Sequence, residues 1–414
     1  MDSFYKLSGL RCNPAKCQLF CAGIPKEEML TISEFTEFPL GTLPVRYLGV
    51  PLITGKLTRQ DCKVLVDKIT QKLRSWRSKL LSYAGKIQLI STVITSTLQY
   101  WLNIFLLPQF VIKEVGRLCN EFLWDSAEDG SRKKGVMAWD KLSIPKKEGG
   151  LGIRNFGVWN KACVLRHLWE ILTLGGSIWV AWISRYRLKG RSIWELSVGS
   201  AGTLIWKRLL KCKAIAYPFV SGNGSNTLWQ GEQMKQFSMS RVWNDIREKK
   251  PEVQWWRLVW AKEIIPKHGL ILWLAIHGRL VTQDKLLAWG ENVSGCCVLC
   301  PGGVESRDHL MIYCSYSLSV LKLCMKSLSP PDVGDWEATV AWCAREWKKK
   351  AARSRLCRVL WCTAVSYIWR ERCSRMYRTK VIRDPAMLVK LIREEVTYRV
   401  YEDPALQLEL DSIQ

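Results

Sequence analysis

No two aspartates stand side by side anywhere in these 414 residues. The Tyr-x-Asp-Asp signature of two-metal nucleotide transfer is therefore absent, and such chemistry needs carboxylates that hold two divalent ions. Gly-x-Ser-x-Gly, His-Glu-x-x-His and the phosphate-loop pattern are missing too. Each of those would place a nucleophile, a metal or a phosphate on a defined turn. The scattered aspartates nominate no catalytic set. Residues 1–30 contain no continuous apolar run behind a basic flank, so nothing there reads as a secretory signal. The uncharged stretch from Ile87 to Ile112 is interrupted by Gln88, Ser91, Thr92, Thr95, Gln99, Asn103, Pro108 and Gln109. It reads as buried amphipathic helix rather than a membrane span. No fixed-period repeat is visible, and histidine is scarce, with 4 in the chain.

Charge and cysteine are plentiful. Lys and Arg total 62 against 37 Asp and Glu, a formal net charge of +25. That balance favours a polyanionic partner. Hydrophobic residues make up 48%, enough for packed cores in two or three domains. The 16 cysteines lack the density of a small disulfide scaffold. They read as buried thiols in a reducing compartment, apart from one cluster.

That cluster is Cys297, Cys300, His309 and Cys314, spaced C-x2-C-x8-H-x4-C. Two cysteines two residues apart can grip one ion from a tight turn, and the His and last Cys can close a tetrahedron. Four such ligands with no open position describe a structural zinc site. Cys296 is an alternative first ligand, since a spacing of three also suits zinc. His268 and His277, just upstream, read as histidines without metal.

The periodicity is mostly helical. Thr58 followed by Asp61 is a helix start signal. Leu65, Ile69, Leu73, Trp76 and Leu80 then share one face, and Arg59, Lys63, Arg74 and Arg77 lie opposite. From Lys56 to Lys86 there are nine basic residues and two acidic ones. A solvated face explains such a run where no partner is present, and the basic excess adds weight to a phosphate-binding face. Helices are expected over 86–125 with a break at Pro108, and over 158–174. Short strands are expected at Gln18–Ala22 and Tyr47–Leu52. Turns are expected at Ser8-Gly9-Leu10 and Asn13-Pro14. Pro145 to Gly152 reads as a tight glycine turn rather than a phosphate cradle. Ser221 to Asn226 reads as a flexible or hairpin-like segment. Trp255, Trp256, Arg257, Trp260, Lys262 and Lys267 mix aromatics with cations, but Trp at near-helical spacing reads first as core. A basic, Trp-rich helical segment follows Pro331, with sixteen basic and five acidic residues from Arg345 to Arg399.

These blocks carry a family resemblance. Phe4 to Val50, with Ser8-Gly9-Leu10, Asn13, Lys16-Cys17 and Pro44 to Pro51, resembles the section after the catalytic motif of plant non-LTR (LINE-type) retrotransposon reverse transcriptases. Leu73 to Trp76 and Leu80 to Lys86 resemble the thumb-like helices that follow. Trp139 and Pro145 to Ile153 match a further family block. Pro266 to Gly290 with Cys297, Cys300, His309 and Cys314 resembles the reverse-transcriptase zinc-binding domain. Leu321 departs from the Trp that relatives often place after the last ligand.

The resemblance implies a mainly α chain. It divides into a palm remnant with short strands at 1–55, a thumb-like helical region at 56–200 and a linker or boundary at 201–239. A small helical zinc-binding domain at 240–325 and a basic Trp-rich segment at 326–414 complete it. It also implies that the polymerase carboxylates lie upstream of this chain, so no polymerase activity is expected of it alone. Zinc is the expected cofactor, and RNA or an RNA–DNA hybrid the expected partner, without a membrane. Contacts are expected at Lys63, Lys72, Arg74, Arg77, Lys79 and Lys86. The nucleus is the compartment the family implies. Two rival expectations are a polymerase completed by a separate palm and a decayed element product without function.

Overall fold

The computed structural model describes all residues except 1, 10–12, 14–15, 54, 78, 80, 125–135, 198, 200–202, 223, 235, 333, 378–381 and 414. Leu10, Pro14, Leu80 and Asn223 therefore lie outside the described residues. Among the described residues helices dominate, and the strands form two small antiparallel hairpins. The architecture is mainly α, as the periodicity predicts. Among the described residues no helix is long and apolar enough to cross a membrane. Two compact units are each assembled from three stretches of chain. One comprises Met1–Thr70, Ser96–Val115 and Phe156–Arg247, the other Gln71–Thr95, Gly116–Asn155 and Glu248–Gln414.

The Arg59–Arg77 helix begins where its cap predicts. The Thr58 hydroxyl accepts from the Asp61 amide at 3.2 Å, and Asp61 accepts from the Thr58 amide at 2.8 Å. This reciprocal pair satisfies donors that a helix start leaves open. Leu65, Ile69 and Leu73 are buried along one face. Thr95–Ile104 and Gln109–Trp124 are separate helices, with the break at Pro108. Buried Asn160 holds that break: its side-chain amide donates to the carbonyls of Leu102 and Phe105 and accepts from the Leu107 amide, at 2.7 to 2.9 Å. One side chain thus answers the backbone groups that the broken helix frees.

The first unit packs around the Phe156–Leu172 helix, against which Leu204–Ala216 and Met239–Ile246 lie. Leu165, Leu168, Trp169, Leu209, Trp229 and Val242 form its core. Phe219 stacks on Trp229 at 5.5 Å, and the Trp229 indole donates to Asp245 at 2.9 Å. Within the expected linker or boundary at 201–239, the described residues form the Leu204–Ala216 helix and a hairpin that belong to this unit. Helical periodicity weakens there because a hairpin, Val220–Ser221 with Leu228–Trp229, brings Trp229 into the core.

Two further expectations change. Gln18–Ala22 forms no strand and contributes one isolated bridge, Leu19 to Leu40. Tyr47–Leu52 is not one strand but part of a hairpin, Val45–Tyr47 with Val50–Leu52. Leu48 and Gly49 between them both have positive φ, 50° and 82°, the signature of a type I′ turn.

The second unit centres on the 25-residue helix Ala352–Met376, buried on all sides from Leu356 to Ser366. Pro266–Ile276, Ser315–Met325 and Pro385–Val400 pack on it. Trp336 stacks on Trp361 at 5.5 Å, so the C-terminal tryptophans serve the core. The glycine turn at 149–152 is structural: the Gly149 carbonyl accepts from the Trp273 indole at 2.9 Å, and a Cβ on Gly150 would sit 2.3 Å from the Ile144 oxygen.

Candidate metal centre

The segment Gly295–Glu305 folds back on itself. The Cys297 amide donates to the Gly303 carbonyl at 2.7 Å, and the Glu305 amide to the Gly295 carbonyl at 2.8 Å. This knuckle carries Cys297 and Cys300. His309 and Cys314 come from the next segment, which is wound as a π turn over His309–Tyr313. The winding matters. In an α-helix, residues five apart are rotated by about 140° and face different ways. The i→i+5 closure, with the Cys314 amide donating to the His309 carbonyl at 2.7 Å, brings both to one side.

The result is a compact cluster. The ligand atoms of Cys297, Cys300, His309 and Cys314 all lie within 4.8 Å of one another. Cys297 Sγ is 3.9 Å from Cys314 Sγ, and Cys300 Sγ is 3.3 Å from His309 Nε2. A tetrahedral zinc with ordinary Zn–S and Zn–N lengths needs separations of about 3.8 and 3.5 Å. The donor set and its spacing fit that ion. A hydrogen bond from the Cys297 thiol pulls the Cys314 thiol well below its ordinary pKa, and the Ser317 backbone N–H at the start of Ser315–Met325 favours the thiolate further. Cys297 is pushed up in return. Cys296 is exposed and outside the cluster. His268 and His277 also lie outside it: His268 Nδ1 is 2.7 Å from Ser366 Oγ, and His277 Nε2 is 3.3 Å from the Gly149 carbonyl.

Several residues that shape the knuckle escaped the sequence reading. Gly303 presses its Cα against the imidazole, since a Cβ there would lie 2.2 Å from His309 Cε1. Gln283 donates to the Cys296 carbonyl at 2.5 Å and accepts from the Gly295 amide at 3.0 Å. Glu305, 0% exposed, accepts from the Gln283 amide at 2.9 Å and pairs with Arg372 at 2.6 Å, itself 1% exposed. The Gly302-Gly303 pair just after Cys300 was the available signal for the turn. Nothing local marks Glu305 or Arg372.

The basic candidates separate into two kinds. Lys63, Arg74, Arg77 and Lys79 are exposed, and Lys72 is half-buried. Lys86 is a correction: it is only 9% exposed, its ammonium lying over the rings of Tyr83 and Phe122 at 5.4 and 5.5 Å. Cation–π contact and burial of its stem hold it inside. In the Trp-rich constellation, half-buried Trp256 and Trp260 carry the ammoniums of Lys147 and Lys146 at 5.4 and 4.8 Å.

Comparison with known proteins agrees with this geometry. Residues 237–320 match the family described as zinc-binding in reverse transcriptase. A protein of Arabidopsis thaliana named for ribonuclease H is 21% identical over 353 residues, covering 66% of this chain. The chain spans 57% of that relative's length. An uncharacterized mitochondrial protein of Arabidopsis thaliana is 28% identical over 112 residues, covering 27% of this chain and 72% of its own length. Residues 237–320 are thus similar to the zinc-binding region of reverse transcriptases, and the ligand cluster lies within that match.

Proposed function

We propose that this chain binds RNA or an RNA–DNA hybrid for a non-LTR, LINE-type element, acting in the nucleus, and that Cys297, Cys300, His309 and Cys314 hold a structural zinc. The zinc has four protein ligands and no open position, so its role is to lock the knuckle. The observation that carries the binding reading is the exposed basic side of the Arg59–Arg77 helix. Lys63, Arg74 and Arg77 recur there within about 60° of one another at 100° per residue. Such a stripe can follow a phosphate backbone, and the net charge of +25 supplies long-range attraction. In this reading the basic helix grips the nucleic-acid backbone.

The test is the salt dependence of hybrid binding. Affinity should fall steeply as salt rises, because each phosphate contact releases counterions. The double variant Arg74→Gln, Arg77→Gln should lower the slope of log affinity against log salt by about 2, at roughly 1 per contact. A slope near zero for the parent chain would sink the reading.

A further inference from the structure

We propose that the surface where Lys146 and Lys147 meet Trp256, Arg257 and Trp260, in the second unit, is a further phosphate-contact site for the same RNA or RNA–DNA hybrid. The inference rests on the nucleic-acid reading above and adds a grip outside the Arg59–Arg77 helix.

The first argument is that the fold assembles this surface from separate parts of the chain. The turn Lys146–Glu148 and the short helix Trp256–Trp260 are far apart in sequence. The Val253 amide ties them by donating to the Lys147 carbonyl at 2.9 Å, and the Lys250 amide by donating to Glu148 at 3.1 Å. Lys146 then lies over the Trp260 ring at 4.8 Å, and Lys147 over Trp256 at 5.4 Å. The Arg257 guanidinium is 4.8 Å from the Trp256 ring centre. Trp256 and Trp260 are four residues apart, so they share one side of their helix, separated by about 6 Å along its axis. The cations they carry are spread along a line rather than gathered at a point.

The second argument is that the positive charge is held without being neutralised. Among the described residues none of the three cations pairs with a carboxylate. The nearby carboxylates are engaged with neutral donors: Glu148 accepts from the Lys250 amide, and Glu252 from the Trp256 indole at 2.5 Å. A ring attracts a cation through its quadrupole but carries no net charge, so the full positive charge remains. Lys146 and Lys147 are exposed, as are Lys249 and Lys250 beside them. Partial desolvation lowers the pKa of Lys146, and an anion at its ammonium would reverse that shift.

A solvated lysine swings freely and loses that freedom when it binds. A lysine resting on an indole has already lost part of it, so less is lost on contact with an anion. Cations fixed along a line suit a chain of regularly repeated charges better than one small anion. With cations over its rings, the surface offers charge rather than a stacking platform, so the contact is to phosphate and not to bases.

The experiment uses the full zinc-loaded chain and a short RNA–DNA hybrid, with affinity measured at several salt concentrations. The triple variant Lys146→Gln, Lys147→Gln, Arg257→Gln should lower the slope of log affinity against log salt by about 3, at roughly 1 per contact. Lys146→Arg with Lys147→Arg keeps both charges and should keep the parent slope. An unchanged slope in the triple variant, with Arg74→Gln, Arg77→Gln still lowering it, overturns this surface and leaves the binding function standing. If the parent chain binds no hybrid at any salt, the binding function falls and this surface with it. Should the triple variant fail to fold, the parent chain decides the matter by lysine acetylation read in a mass spectrometer. Bound hybrid should slow acetylation of Lys146 and Lys147 severalfold, and unchanged acetylation with hybrid bound overturns the proposal.

Discussion

The core around Phe156–Leu172 and the knuckle at Gly295–Glu305 are held by different forces. The first is made of interlocking apolar side chains, Leu165, Leu168, Trp169, Leu209 and Trp229 among them. Its stability is spread over many small contacts, each replaceable in part by its neighbours. The knuckle has little apolar mass of its own. A cluster of four ligands, a buried carboxylate–guanidinium pair and one glutamine amide set its shape. Its stability is concentrated in a few polar groups, and losing one leaves the others stranded.

Removing the metal should break the comparison most sharply. His309→Ala or Cys300→Ala should lower zinc content from one per chain toward zero. The effect is expected to be the largest of the series, since structural zinc contributes on the order of 10 kcal/mol in small zinc-finger peptides. Hydrogen exchange should rise across residues 283–325 while the Phe156–Leu172 helix stays protected. Unchanged zinc content in both variants would reject the ligand set.

Next is the pair beneath the knuckle. Glu305→Gln keeps the shape of the side chain but leaves the Arg372 guanidinium buried without its counter-charge. A loss of about 3–5 kcal/mol is expected, read by urea unfolding. The double replacement Glu305→Leu, Arg372→Met should recover much of it, because removing both charges avoids the stranded one. A single variant as stable as the parent would show that the pair is not needed.

The smallest effect should come from the apolar core. Leu168→Ala is expected to cost about 2–5 kcal/mol, according to how far the neighbouring side chains collapse into the space. Zinc content should stay the same, and the exchange pattern of the knuckle with it. Loss of zinc in this variant would show that the ligand cluster depends on this core.

What the sequence revealed follows the same division. The Arg59–Arg77 helix was legible because its signals are local: Thr58 and Asp61 at the start, then Leu65, Ile69 and Leu73 at helical spacing. The metal cluster was legible because its four members lie within eighteen residues. Glu305 and Arg372 were not, because a buried charge is tolerated only beside a partner that the fold brings from far along the chain. Lys86 misled for a related reason: basic character suggested a surface, while Tyr83 and Phe122 provide an aromatic enclosure. Residues 201–239 read as a boundary because short hairpin strands carry too few residues to show a period.

The π turn over His309–Tyr313 has a consequence for deletions and insertions. The four residues between His309 and Cys314 set a phase as well as a length. A regular helix would need a spacer of three to bring its two ligands onto one side. Shortening this spacer by one residue would let the backbone relax to ordinary winding and still present both side chains together. Lengthening it by one would leave no common helical turn that does. Here the His-x4-Cys spacing goes with a wide turn that ends at Tyr313, and Cys314 takes extended backbone before the next helix begins.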